Sequence, residues 1–119
     1  MIRRVGEYTF DIKENMRGGE GSVKIEHYWH PGTEMKAKNR LFAKLTLQPG
    51  SSIGFHKHDD EEEVFVVLSG TAETDDNGHQ VILNAGDTIL TGNGGGHSIK
   101  CISREPLEVM AVISCYKKT

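Results

Sequence analysis

The chain has 119 residues, 36% hydrophobic and 26% charged, as expected for one globular domain. Its 14 lysines and arginines against 17 aspartates and glutamates give a net charge of -3, so the charge balance does not favour nucleic acid or an anionic membrane as partner. No apolar run approaches the ~20 residues of a membrane-spanning helix. The first residues lack the apolar segment of a secretion signal, and Cys101 and Cys115 are the only cysteines, so we expect a cytoplasmic protein without a disulfide scaffold.

Runs of strand length separated by glycine recur along the chain, whereas helix signals are nearly absent. Apolar residues alternate along residues 22–29 and 41–47, which is typical of strands with one buried face. Asn77-Gly78 predicts a tight hairpin turn. The other predicted strands span residues 64–69, 71–74, 81–83, 88–90, 97–102 and 107–114. Several short strands without helices between them predict an all-β fold, an antiparallel barrel or jelly roll in one domain.

Three histidines and one glutamate have spacings that suit a metal site. His56 and His58 are two positions apart, so on a strand they share a face. Glu63 opens the returning strand after an acidic turn, residues 59–62, which we interpret as solvated. His97 follows a glycine-rich segment, residues 92–96, interpreted as a turn that delivers this histidine. Imidazoles and one carboxylate suit several divalent transition metals, among them Mn, Fe, Ni and Zn.

At these residues the chain resembles the cupin family. The first cupin motif, G-x5-H-x-H-x4-E-x6-G, is matched at every fixed position, by Gly50, His56, His58, Glu63 and Gly70. The second motif, G-x5-P-x-G-x2-H-x3-N, is matched by Gly86, Gly94 and His97. Two positions depart from it, because Gly92 stands where proline is usual and Cys101 where asparagine is usual.

This resemblance implies a jelly-roll β-barrel of small single-domain cupin type, similar to oxalate-decarboxylase-like and sugar-isomerase-like members. It implies one divalent metal in the lumen, bound by His56, His58, Glu63 and His97. Residues 41–114 would form the core barrel, residues 1–40 strands that complete it or make a dimer contact, and residues 115–119 a C-terminal tail. Glu62 is the rival ligand, since some cupins use the shorter spacing, but the six-residue gap to Gly70 favours Glu63.

Four further residues are candidates for the cavity around the metal. Phe65 and Ile99 are expected to line the barrel near the ion. Cys101 shares strand parity with Ile99 and is either a small buried hydrophobe or a thiol that oxidises beside the metal. His27 lies on the apolar side of its strand, where it is either a packed histidine or a proton-transfer residue.

Fold alone does not decide function, because one barrel supports many chemistries. Our first hypothesis is a metal-dependent enzyme that acts on a small oxygen-rich substrate, a sugar derivative or carboxylate, by Lewis-acid isomerase, lyase or decarboxylase chemistry. One alternative is a metal-dependent dioxygenase, and another is a non-catalytic binding or sensing protein. The strand at residues 64–69 is apolar on both faces, so a homodimer that covers the outer face is also expected.

Overall fold

Two antiparallel sheets face each other across the core in the computed structural model, which describes residues 1–116. The ten strands of this part are β1 (Thr9–Glu14), β2 (Ser22–His27), β3 (Asn39–Leu47), β4 (Ser52–Lys57), β5 (Glu61–Ser69), β6 (Ala72–Asp76), β7 (His79–Leu83), β8 (Thr88–Thr91), β9 (Gly96–Cys101) and β10 (Leu107–Cys115). One short 3-10 turn, Met16–Gly18, connects β1 to β2.

The strand order is that of a jelly roll. The larger sheet runs β1-β2-β3-β10-β5-β8 and the smaller sheet β4-β9-β6-β7. The pairs β3 with β10, β4 with β9, β5 with β8 and β6 with β7 are nested, so the chain folds back on itself like a long hairpin wrapped into two sheets. This topology confirms the all-β jelly roll expected from the sequence.

Alternation along the strands builds the core between the sheets. On β3 the residues Ala43, Leu45 and Leu47 are buried, as the pattern in residues 41–47 predicts. The other buried apolar residues on both sheets include Val23, Ile25, Ile53, Phe65, Val67, Ala72, Leu83, Ile99, Leu107, Val109 and Ala111. The Asn77-Gly78 turn is also confirmed, because both residues have left-handed φ angles, 50° and 93°, as a tight hairpin turn requires.

Some predicted boundaries were wrong. The strand expected at residues 22–29 ends at His27, and Asp75 and Asp76 belong to β6. The acidic segment at residues 59–62 is a turn only in its first half, because β5 already begins at Glu61. The Glu61 side chain is 13% exposed and paired with Arg40, so the solvated interpretation of this residue was wrong.

The N-terminal strands, the C-terminal tail and a dimer contact were the other expectations from the sequence. The first two strands extend the larger sheet beyond the core barrel, Cys115 ends β10, and residues 117–119 of the expected tail lie outside the described residues. On the outer face of β5, Val64 and Val66 are half-buried and Leu68 is 43% exposed. A dimer through this face stays a prediction. No helix within residues 1–116 is long and apolar enough to cross a membrane.

Strand β4 changes halfway along which side chains it turns toward the lumen. Ile53 is buried, yet His56, three residues later, also faces inward because the pairing with β9 shifts between them. Gly54 lies in this bulge, and a Cβ on it would overlap the carbonyl oxygen of Arg17. The 3-10 turn therefore packs its backbone directly onto β4, which requires a residue without a side chain at position 54.

Replacing Gly54 by alanine should lower the free energy of unfolding by about 1–3 kcal/mol, because the added methyl overpacks this contact. Urea denaturation measures the change. Gly92→Ala is the control, since no atom lies within 4 Å of the Cβ that it adds. Equal stability of both variants would contradict the close backbone packing of the turn on β4.

Candidate metal centre

Four side chains from two separate segments of the chain converge at one end of the lumen. The ligand atoms of His56, His58, Glu63 and His97 all lie within 4.8 Å of one another. Glu63 Oε1 lies 2.8 Å from His58 Nε2 and 2.9 Å from His97 Nε2. His56 Nε2 is 4.0 Å from the same oxygen. The four residues predicted from the sequence therefore form one cluster, named here the His3Glu cluster.

Both sheets contribute to the His3Glu cluster. In the smaller sheet, His56 on β4 lies opposite His97 on β9. In the larger sheet, Glu63 on β5 lies opposite Thr91 on β8. Since the sheets face each other, the imidazoles of one meet the carboxylate of the other. The ring of Phe65 stacks on His97 with centroids 4.7 Å apart and planes 8° from parallel, which restricts the imidazole to one orientation.

The glycine-rich segment between β8 and β9 positions two ligands at once. It delivers His97 at the start of β9, as predicted. It also holds His58, whose backbone N–H donates to the carbonyl of Gly95 at 2.9 Å and whose carbonyl accepts from Gly94 N–H at 2.7 Å. Gly94 has a φ of 78°, a left-handed conformation that glycine adopts without strain.

Hydrogen bonds at Nδ1 fix the tautomers of two imidazoles. His56 Nδ1 lies 2.8 Å from the carbonyl oxygen of Gly54, and a carbonyl only accepts, so this nitrogen carries the proton. His58 Nδ1 contacts the carboxylate of Glu61, which Arg40 holds through two bonds of 2.8 Å. The Arg40 bonds, partly opposed by burial, lower the pKa of Glu61 to about 2. The ionised carboxylate therefore accepts from His58 Nδ1. With Nδ1 protonated on both rings, Nε2 is the atom that faces the centre, where it can take either a proton or a metal ion.

The third imidazole is held by a hydroxyl group. His97 Nδ1 lies 2.7 Å from Thr91 Oγ1, and both groups are buried. A threonine hydroxyl can accept from Nδ1, in which case His97 also presents an unprotonated Nε2. Each ligand nitrogen is thus oriented by a partner on the opposite side of its ring, as is usual for histidines that bind metals.

The electrostatics of the His3Glu cluster favour a cation at its centre. Burial lowers the pKa of His56 and so disfavours a proton on its ring. Burial also raises the pKa of Glu63, but hydrogen bonds from His58 and His97 outweigh it and the net shift is downward. The hydrogen bond with Glu63 raises the pKa of His58. Unprotonated nitrogens and a carboxylate oxygen are the donor set of a divalent transition metal, so these residues fit the metal that the sequence predicts.

A cavity of about 210 Å³ adjoins the cluster. Its apolar walls are Met16, Ile25, Leu41, Leu45, Ile53, Phe65 and Ile113. Its charged and polar walls, besides three of the cluster residues, are Asp11, Lys13, Arg17, His27 and Arg40. The volume is below the roughly 300–1,000 Å³ of pockets for drug-sized ligands, so it suits a small metabolite.

Only two of the four residues predicted to surround the metal line the cavity. Phe65 and His27 do line the cavity, whereas Ile99 and Cys101 are not among its walls within the described residues. Both are buried, but Cys101 Sγ points toward the carbonyls of Ser103 and Glu105, at 3.8 and 3.4 Å. The structure therefore places Cys101 in the core, away from the cluster, where it packs as a small hydrophobe.

Three further polar residues belong to the site, and only one of them had a signal in the sequence. Glu61 shares strand parity with Glu63, so it could have been expected on the same face. Thr91 orients His97, and Asp11 Oδ2 lies 2.9 Å from His27 Nε2, but neither contact follows from local pattern. The rival ligand Glu62 lies outside the cluster and accepts from the hydroxyl of Tyr116 at 3.1 Å.

Comparisons with known proteins identify the family and support the fold. Residues 43–113 match the family model described as Cupin domain. The chain is 42% identical over 113 residues to the oxalate-binding protein of Thermotoga maritima, covering 95% of this chain and 93% of that one. The crystal structure of a predicted oxalate decarboxylase from Thermotoga maritima superposes with a TM-score of 0.92 at 42% identity, covering 97% of this chain and 99% of that one. A mannose-1-phosphate guanylyltransferase of Klebsiella pneumoniae is 31% identical over 71 residues, 60% of this chain and only 15% of that protein.

Removing the carboxylate that orients His58 should weaken metal binding. Glu61→Ala is expected to lower the affinity for a divalent transition metal about 10–100-fold, the usual effect of losing a partner behind a ligand. Glu61→Gln should recover part of it, because its amide oxygen still accepts from Nδ1. Competition with a chromogenic chelator gives the affinities. Glu62→Ala is the matched control, and a loss of the same size there would contradict the role assigned to Glu61.

Proposed function

The chain belongs to the cupin family, and we propose that it is a metal-dependent enzyme that acts on a small carboxylate. The observation that carries this proposal is the convergence of three imidazoles and one carboxylate within 4.8 Å at the wall of a cavity of about 210 Å³. A metabolite-sized space beside a set of metal ligands is the arrangement of a site that binds its ligand through the ion. The name of the Thermotoga maritima relative, an oxalate-binding protein, supports a carboxylate as the ligand.

A divalent ion such as Mn, Fe, Ni or Zn, held by the His3Glu cluster, would supply Lewis acidity to carboxylate oxygens at this place. The chain itself provides the surroundings. Leu41, Phe65 and Ile113 form an apolar wall of the cavity beside the cluster and lower the local polarity there. Electrostatic attraction to an anion is stronger in such an environment than in bulk water, so the apolar walls favour a charged ligand once its charge is compensated by the ion.

His27 is the proposed proton-transfer residue. Its side chain borders the cavity and is 17% exposed, and its Nε2 is held 2.9 Å from Asp11 Oδ2. A carboxylate partner fixes the orientation of an imidazole. The pair can therefore hold a proton at the cavity wall and pass it to a bound substrate, as a lyase or decarboxylase reaction requires.

A non-catalytic binding protein is the second candidate. It is favoured by the name of the relative that is 42% identical to this chain over 113 residues, an oxalate-binding protein. The two candidates share the metal and the carboxylate, and they differ in the role of His27. Turnover separates them.

Loss of a single imidazole should remove the metal. We expect His58→Ala and His97→Ala to reduce metal content at least about tenfold, because each leaves an incomplete ligand set. Elemental analysis of the purified proteins measures this, with the exposed His79→Ala on β7 as control. Wild-type protein that takes up none of the four metals from saturating solutions would contradict the proposal.

His27→Gln separates catalysis from binding. With oxalate as test substrate, carbon dioxide release should fall about 10²–10⁴-fold, the usual contribution of a general acid or base. Calorimetric affinity for oxalate should change less than about threefold, since His27 is not a metal ligand. Oxalate binding without carbon dioxide release in the wild type would support the binding protein instead, and absence of oxalate binding to metal-loaded protein would contradict both candidates.

A further inference from the structure

Two exposed cations of the N-terminal segment line the cavity. Lys13 on β1 and Arg17 in the 3-10 turn border the same cavity as the His3Glu cluster. Within residues 1–116 neither side chain forms a salt bridge or a hydrogen bond. The other charged wall residues are engaged, since Arg40 is bound to Glu61 and Asp11 to His27. Lys13 and Arg17 are therefore the cations of the wall with capacity left for a ligand.

The fold positions the backbones of both residues, and their side chains are exposed. Lys13 lies opposite Val23, which is fully buried, so the register turns Lys13 toward the lumen side of the sheet. Arg17 has a left-handed backbone, with φ 54° and ψ 30°, which is uncommon for a residue with a side chain. Its carbonyl packs against Gly54 of β4, and this packing maintains the conformation. Strain of this kind is often retained where a side chain must be aimed at a ligand.

The cavity therefore has two places that can bind an anionic group, and apolar side chains form the rest of its walls. One would be a metal ion held by the His3Glu cluster, and the other is the pair Lys13 and Arg17. Guanidinium and ammonium groups both bind carboxylates, and the guanidinium does so through two parallel bonds. In oxalate the two carboxylates are bonded directly to each other, so it occupies the metal end alone. A molecule with a short carbon chain between its carboxylates has a second anionic end available for the cations.

We propose that Lys13 and Arg17 form a binding site for the far carboxylate of a small dicarboxylate whose other end is held at the metal. This inference rests on the proposed function and names its ligand class more closely. Both residues lie outside the part that matches the family model, residues 43–113. The N-terminal segment thus adds ligand selectivity to a barrel whose metal centre is complete without it.

Two 2-oxo acids of equal length test the inference. In 2-oxoglutarate and 2-oxopentanoate the metal-binding end is the same, and only the far end differs, a carboxylate against a methyl group. We expect Mn²⁺-saturated wild-type protein to bind 2-oxoglutarate at least about tenfold more tightly in calorimetry, equivalent to roughly 1.4 kcal/mol. In the double variant Lys13→Gln/Arg17→Gln this preference should fall below about twofold. The variant loses the contacts with the far carboxylate of 2-oxoglutarate, whereas its affinity for 2-oxopentanoate stays the same.

The control removes two equal charges outside the cavity. Lys24→Gln/Arg104→Gln is suitable because neither residue is among the cavity walls, and Lys24 lies over the ring of Phe10. This control should keep the wild-type preference. Three results would overturn the inference: equal affinity of the wild type for both acids, a preference that survives in the Lys13/Arg17 variant, or the same loss in the control. Oxalate binding in the same protein would still support a metal site for small carboxylates, and carbon dioxide release would support the enzyme. Failure of all three acids to bind would overturn the proposed function together with it.

Discussion

The buried carboxylate of Glu63 is the group on which the rest of the site depends. It is 3% exposed. Its Oε1 lies 2.8 Å from His58 Nε2 and 2.9 Å from His97 Nε2, which approach from the side of the smaller sheet. A carboxylate removed from water needs compensating positive charge. Protons on the Nε2 atoms of His58 and His97 supply it through hydrogen bonds, and a divalent ion bound by those atoms would supply it in their place. The same requirement explains why Gly54, Glu61 and Thr91 hold the far side of each imidazole ring.

The jelly roll separates packing from chemistry along the lumen. Apolar side chains from both sheets fill most of it, and the polar cluster occupies the end where β5 and β9 begin. Two features of the backbone place the ligands at that end. The bulge in β4 lets His56 face inward after Ile53, and the glycine-rich turn before β9 holds the backbone of His58. Each feature places a ligand without taking apolar residues out of the core.

The distribution of positive charge around the cavity follows from its ion pairs. Arg40 is used to hold Glu61 and so acts on the metal through His58. Lys13 and Arg17 have no such partner in the described chain and face the cavity from the segment that extends the larger sheet. Arg40 thus orients a metal ligand, whereas Lys13 and Arg17 are available to a bound anion. The number of cations alone would not show this difference, because it depends on which of them form ion pairs.

Periodicity along single strands is information that the sequence carries by itself. It was enough for an all-β barrel or jelly roll, for the Asn77-Gly78 turn and for the shared face of His56 and His58, because strand parity and turn chemistry act over a few residues. The full set of four ligands, with Glu63 rather than Glu62, came from the resemblance to the cupin motifs. Contacts between strands far apart in the chain were decided only by the tertiary structure. Strand register and the way the two twisted sheets face each other decide three features. These are the contact of Thr91 with His97, the contact of Asp11 with His27, and the position of Cys101 outside the cavity. Glu61 shows both levels at once, since its face follows from parity but its bonds to Arg40 and His58 exist only after the sheets close.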